Sequence, residues 1–99
     1  MKVNERNYIT VEGWMRTELN LTGNELLVYA IIYGFSQNGQ GEFKGTAQYL
    51  ADWIGCTRRT ITSILKRLVE ENVICRRAVF LENDEKRVFY QAKTPWEEM

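Results

Sequence analysis

The sequence contains no histidine and only two cysteines, Cys56 and Cys75. The first absence removes the side chain that most often carries protons near neutral pH. Two isolated thiols do not build a tetrahedral zinc site without carboxylate help, so neither a metal nor a cofactor is expected. No glycine-rich phosphate loop is present, and no Ser or Cys has a His to activate it. With no catalytic constellation, the chain reads as a non-enzyme.

Long apolar runs are also missing. The longest, Leu26 to Phe35, contains Gly34, Tyr29 and Tyr33 and is too short to span a bilayer, so no membrane partner is expected. The polar start from Met1 to Arg6 has no apolar signal core behind it, which argues against secretion. Two unpaired thiols then fit a reducing cytoplasm.

Net charge is lacking in either sign, with 13 Lys and Arg against 13 Asp and Glu. The distribution is uneven. Phe43 to Leu81 carries Lys44, Arg58, Arg59, Lys66, Arg67, Arg76 and Arg77 against Asp52, Glu70 and Glu71. A basic middle flanked by acidic ends keeps a nucleic-acid partner open despite the zero total.

What is present suits one packed domain. The chain has 99 residues, 44% hydrophobic and 12% aromatic, and its core is expected over about residues 8–92. Tyr8 to Met15 has the composition of a short strand weakened by Gly13. Arg16 to Leu21 suits a turn or short helix. Thr22-Gly-Asn-Glu25 is a capping-box pattern, with Leu21 and Leu26 as a hydrophobic staple. The nearly all-apolar helix behind it should be the central one. Asn38-Gly39-Gln40-Gly41 ends it. Glu42 to Gly45 is short and extended, with the character of an edge strand.

Thr46 is expected to cap a second helix running to Trp53 or Ile54. Ala47, Leu50, Ala51 and Ile54 follow helical spacing. Gly55 closes this helix in a left-handed conformation. Thr57 then caps a third helix from Arg58 to about Asn72, striped by Ile61, Ile64, Leu65, Leu68 and Val69. Val73 to Leu81 and Lys86 to Ala92 form a hairpin around the polar cluster Glu82 to Glu85. Tyr49, Leu50 and Trp53 read as packing residues. Trp14 suits either the core or a dimer contact, and Cys56 suits inert packing.

Two helices joined by so short a turn cross steeply. The stripe of the third helix is then buried, and Arg58, Arg59, Thr62, Ser63, Lys66 and Arg67 point outward. Such a face is a solvated surface or a set of contacts to phosphates and base edges. Arg58 and Arg59 oppose the helix dipole, which favours anions in a first turn. Lys44 and Thr46 are placed to touch phosphate at the start of the second helix.

The stretch GTAQYLADWIGCTRRTITSILKRLVEENVI, Gly45 to Ile74, resembles the helix-turn-helix core of winged-helix DNA-binding domains. The run from Tyr8, including ITVEGWMRTELNLTGNELLVYAIIYGFSQNGQGEF, resembles N-terminal domains of DnaD-like replication-initiation proteins of phages and Firmicutes. The resemblance implies an α+β fold, a winged helix-turn-helix with three core helices and a C-terminal hairpin wing. It implies double-stranded DNA as partner, in phage-type or plasmid-type replication initiation or in transcription regulation. It places Arg58, Arg59, Thr60, Thr62 and Ser63 on the recognition helix, in the major groove. Arg76, Arg77, Lys86 and Arg87 fall on the wing, where their charges neutralise phosphates or protect a sheet edge. Glu82, Asp84 and Glu85 at the tip depart from a basic wing and argue against deep insertion into DNA. Family members often carry a further domain, so the chain is either a fragment or a small stand-alone relative. A homodimer and replication or transcription proteins are the implied protein partners. The alternative reading is an interaction or oligomerisation module without direct DNA binding, motivated by zero net charge, acidic flanks and the aromatics Trp14 and Trp96.

Overall fold

A computed structural model describes residues 2–36 and 41–96. The elements run α1 (Gly13–Thr17), α2 (Gly23–Ser36), α3 (Ala47–Ile54), α4 (Arg58–Glu70), β1 (Ile74–Phe80) and β2 (Lys86–Ala92). This is the α+β order of three core helices followed by a hairpin, with one short helix in front.

α2 lies at the centre. Val28, Tyr29, Ala30, Ile31 and Ile32 are consecutive and all buried, which only a helix covered on most sides permits. It packs against α1, α3, α4 and β2. Met15, Phe43, Leu50, Ile61, Leu68, Ile74 and Ala92 complete the core from the other elements and the segment before α3. Leu21 is buried there and Leu26 packs against it. The expected capping box is not what Glu25 makes. The Thr22 carbonyl accepts from Leu26 N–H, but the Glu25 carboxylate reaches Arg67 instead.

The local signals for α3 and α4 correspond to real caps. Thr46 Oγ1 accepts from Tyr49 N–H at 3.1 Å, and Thr57 Oγ1 accepts from Thr60 N–H at 3.2 Å. Gly55 is left-handed at φ 81°, and Cys56 N–H bonds back to the Ala51 carbonyl, a Schellman closure. α4 stops at Glu70 rather than near Asn72 because Asn72 is itself left-handed, at φ 64°. Val73 N–H then reaches Leu68 and Asn72 N–H reaches Val69, the same closure with Asn in the glycine role.

The strand expected over Tyr8 to Met15 does not form. Residues 8–12 are irregular, and Gly13–Thr17 is α1. A strand needs a ladder partner, and Phe43 pairs with β2 at Tyr90. Helical winding lets Met15 enter the core while Trp14 packs edge-on against Tyr29, Tyr33 and Trp96. Trp14 thus belongs to an aromatic cluster on the core. The expected turn at Asn38 to Gln40 lies outside the described residues.

The hairpin pairs Ile74 with Ala92 at its base and Phe80 with Lys86 at its tip. Its base is fixed to α2. Ser36 Oγ donates to the Ile32 carbonyl and accepts from Ala92 N–H, and the Tyr29 hydroxyl donates to the Lys93 carbonyl. Among the described residues no helix is long and apolar enough to cross a membrane.

Candidate nucleic-acid interface

α4 is held by four buried residues, Ile61, Ile64, Leu65 and Leu68, each contributing about 1.5–3 kcal/mol by burial. At 3.6 residues per turn the opposite ridge carries Arg59, Ser63, Lys66 and Glu70. Arg58, Thr62 and Val69 fall on one flank of that ridge, and Thr60 and Arg67 on the other. The two flanks face different surroundings.

The first flank forms one wall of a groove of about 800 Å³. The start of α3 and the wing form the other walls. Lys44, Thr46, Thr62, Lys66, Arg76, Lys86 and Arg87 line it together with Glu70 and Glu85. Five cations and two carboxylates leave a positive excess. The floor is apolar, made by Leu65, Val69, Val88 and Tyr90. Strand register explains the wing's share. Residues paired across an antiparallel ladder share a face, so Arg76, Tyr90, Val88 and Lys86 lie on the same face as buried Ile74 and Ala92, whereas Arg87 and Phe89, which also border the groove, alternate to the other face.

The second flank borders a shallower depression of about 350 Å³ lined by Arg59, Thr60, Ser63, Ile64 and Arg67. The α4 ridge therefore divides most of the expected site residues between two concavities, while Arg58 and Arg77 line neither. Arg58 and Arg59 are exposed, and among the described residues neither has an ion-pair partner.

Two expected DNA contacts are committed elsewhere. Arg67 donates to Glu25 at 2.5 Å, and this hydrogen bond raises the Arg67 pKa above its ordinary value. Arg77 clasps Glu42 with two hydrogen bonds, of 3.1 and 2.7 Å, and its guanidinium lies 4.5 Å from the Phe89 ring centre. That clasp holds the Glu42 carboxyl below the usual glutamate range, the Arg77 hydrogen bond being the main cause. Arg77 thus fastens the segment before Phe43 to the wing. The sequence offered no signal for either pairing, because the partners are 42 and 35 residues apart.

The hydroxyls also differ. Thr62 Oγ1 donates to the Arg58 carbonyl at 3.0 Å, so its only proton is used and it presents lone pairs outward. Such an oxygen meets an amino group on a base edge, not a phosphate. Thr46 Oγ1 accepts from its helix and keeps its proton for an anion. Thr60 Oγ1 lies 3.0 Å from Thr57 Oγ1 within the cap.

Comparison with known proteins gives a consistent picture of the architecture. A family described as "Helix-turn-helix domain" matches residues 19–74. No curated protein sequence matches. Among solved structures, an "N-Terminal domain of DNA binding protein" is similar at 18% identity and a TM-score of 0.62, over 95% of this chain and 80% of that one. A "Possible transcriptional regulator from Methanosarcina mazei Go1" is similar at 18% identity and a TM-score of 0.57, over 82% of this chain. This chain spans 63% of that protein.

Proposed function

The chain belongs to the helix-turn-helix domain family, and from that premise we propose that it binds double-stranded DNA. α4 is the element that enters the major groove, and the wing lies along the adjoining backbone. The observation that carries this reading is the convergence of Lys44, Lys66, Arg76 and Lys86 on one groove that Arg87 also borders. They come from three segments separated in sequence. An α-helix fits a groove about 12 Å wide, and α4 with 13 residues is about 20 Å long.

Roles divide by chemistry. Lys44, Lys66, Arg76, Lys86 and Arg87 neutralise phosphates, and Thr46 donates to one. Arg58 and Arg59, in the first turn of α4, reach base edges together with Thr62 and Ser63. Arg67 and Arg77 act by holding α4 and the wing in place. The acidic tip stays out of the DNA. The chain is a binding module without a catalytic step, acting in the cytoplasm.

The finer role is in replication initiation or transcription regulation. The resemblance of residues 8–92 to DnaD-like proteins supports the first, and the fold shared with the "Possible transcriptional regulator from Methanosarcina mazei Go1" supports the second.

A salt series on a duplex tests the reading. If five phosphates are neutralised, log K falls against log salt with a slope of about −4 to −5. Lys66→Ala with Arg87→Ala should flatten the slope by about 2. Binding independent of salt, or an unchanged slope in the double variant, overturns it.

A further inference from the structure

The wing tip has a composition that the DNA reading does not use. Phe80 is 70% exposed and Leu81 38%, and Glu82, Asp84 and Glu85 surround them. Phe80 is paired with Lys86, so it sits on the ribbon face that lines the groove, at the outer end. The groove is the converse of the tip. Its floor is apolar, and its cations exceed its carboxylates. The floor is also more than phosphate neutralisation requires, since phosphates contact charge and hydrogen-bond donors rather than Leu and Val. The loop from Leu81 to Asp84 is therefore an anionic apolar projection, and the recess, bordered at its outer end by Glu85 and Lys86, holds an excess of cations over an apolar floor.

We propose that the groove also binds the wing tip of a second copy of this chain. Two wings pack antiparallel across a two-fold axis, each placing Phe80 and Leu81 on the other's floor of Val69, Val88 and Tyr90. Glu82 and Asp84 meet Lys44 and Arg76, the groove cations nearest the wing base. The contact is self-complementary, so it closes at a dimer. It occupies the surface assigned to DNA, with carboxylates in place of phosphates, so dimer and DNA exclude one another. This last consequence rests on the DNA reading; the dimer itself does not.

The dimer is tested on the full chain without DNA, by sedimentation equilibrium across protein concentration at low and high salt. A monomer–dimer equilibrium that weakens with salt is expected. Phe80→Ser should raise the dissociation constant roughly tenfold or more, and its exposure leaves folding intact. The pair Glu82→Gln and Asp84→Asn should weaken the dimer in the same direction; Asn tolerates the left-handed backbone at residue 84, where φ is 63°. Lys66→Ala with Arg76→Ala should do so from the groove side. A monomer at every concentration, growth past the dimer, or loss on tip variants but not groove variants overturns the proposal. Adding duplex then separates the two ideas. DNA that dissociates the dimer supports both. A dimer that behaves as described but ignores duplex removes the DNA reading and leaves the docking surface standing.

Discussion

Ser36→Ala is a small change with a large expected consequence, because Ser36 fastens the wing to the helical core. Ser36 is 7% exposed and Ala92 4%. Ser36 Oγ accepts from the Ala92 N–H at 3.0 Å. Removing the hydroxyl leaves that N–H buried without its acceptor, a loss of about 1–3 kcal/mol. Alanine's better helix propensity returns at most about 0.5 kcal/mol, so a net loss of about 1–2 kcal/mol is expected. Domains of this size are stable by only about 5–15 kcal/mol. With an m-value of about 1–3 kcal/mol/M in urea, the midpoint should fall by about 1 M at unchanged slope. The exposed control Ser63→Ala should stay within about 0.5 kcal/mol. Hydrogen exchange at the Ala92 amide gives the local readout, since it should accelerate more than amides of α4. A midpoint shift no larger than that of the control, with Ala92 protection intact, would refute the reasoning.

Other expectations follow from the same geometry. Gly55→Ala places a Cβ on a left-handed residue and should cost about 1–2 kcal/mol by thermal or urea unfolding; no loss would contradict the closure described for α3. Leu68→Ala empties a fully buried position on α4 and should cost about 2–5 kcal/mol in the same assay. Glu42 is held below its ordinary pKa by Arg77, so its contribution to stability is complete above the usual glutamate range and disappears as pH falls through its lowered value. Glu42→Gln should therefore flatten the acid limb of a stability–pH profile and leave the profile's shape above neutrality alone. Thr62→Val removes an outward acceptor while keeping shape, so it should relax base preference at one position without changing the salt slope; Thr62→Ser should keep the preference.

The parts of this fold that were legible in the sequence are those written in a few adjacent residues. Thr46, Gly55 and Thr57 act within one turn of themselves, and each makes the cap its spacing implies. The stripe from Ile61 to Leu68 is similarly local, so the outward side of α4 followed from it. What escaped depends on distant partners. Glu25 had a local partner in the capping-box reading, but Arg67 won it from across the core. Arg77 looked like a free wing cation until Glu42 was found beside it. The β-branched and aromatic composition of Tyr8 to Met15 suggests a strand, yet strand formation depends on a free ladder that other residues control. The groove was half legible. Its cations were named individually, but their division by the α4 ridge, and the floor of Val69, Val88 and Tyr90 beneath them, required the wing to be placed.

The most direct test of the central claim is an amide chemical-shift titration with a short duplex. Perturbations should cluster on Lys44 to Thr46, on the outward residues of α4 and on Arg76, Lys86 and Arg87, and should fade as salt is raised. Shifts confined to the Asn7 to Thr10 and Trp53 side of the molecule, or no shifts at low salt, would contradict the account.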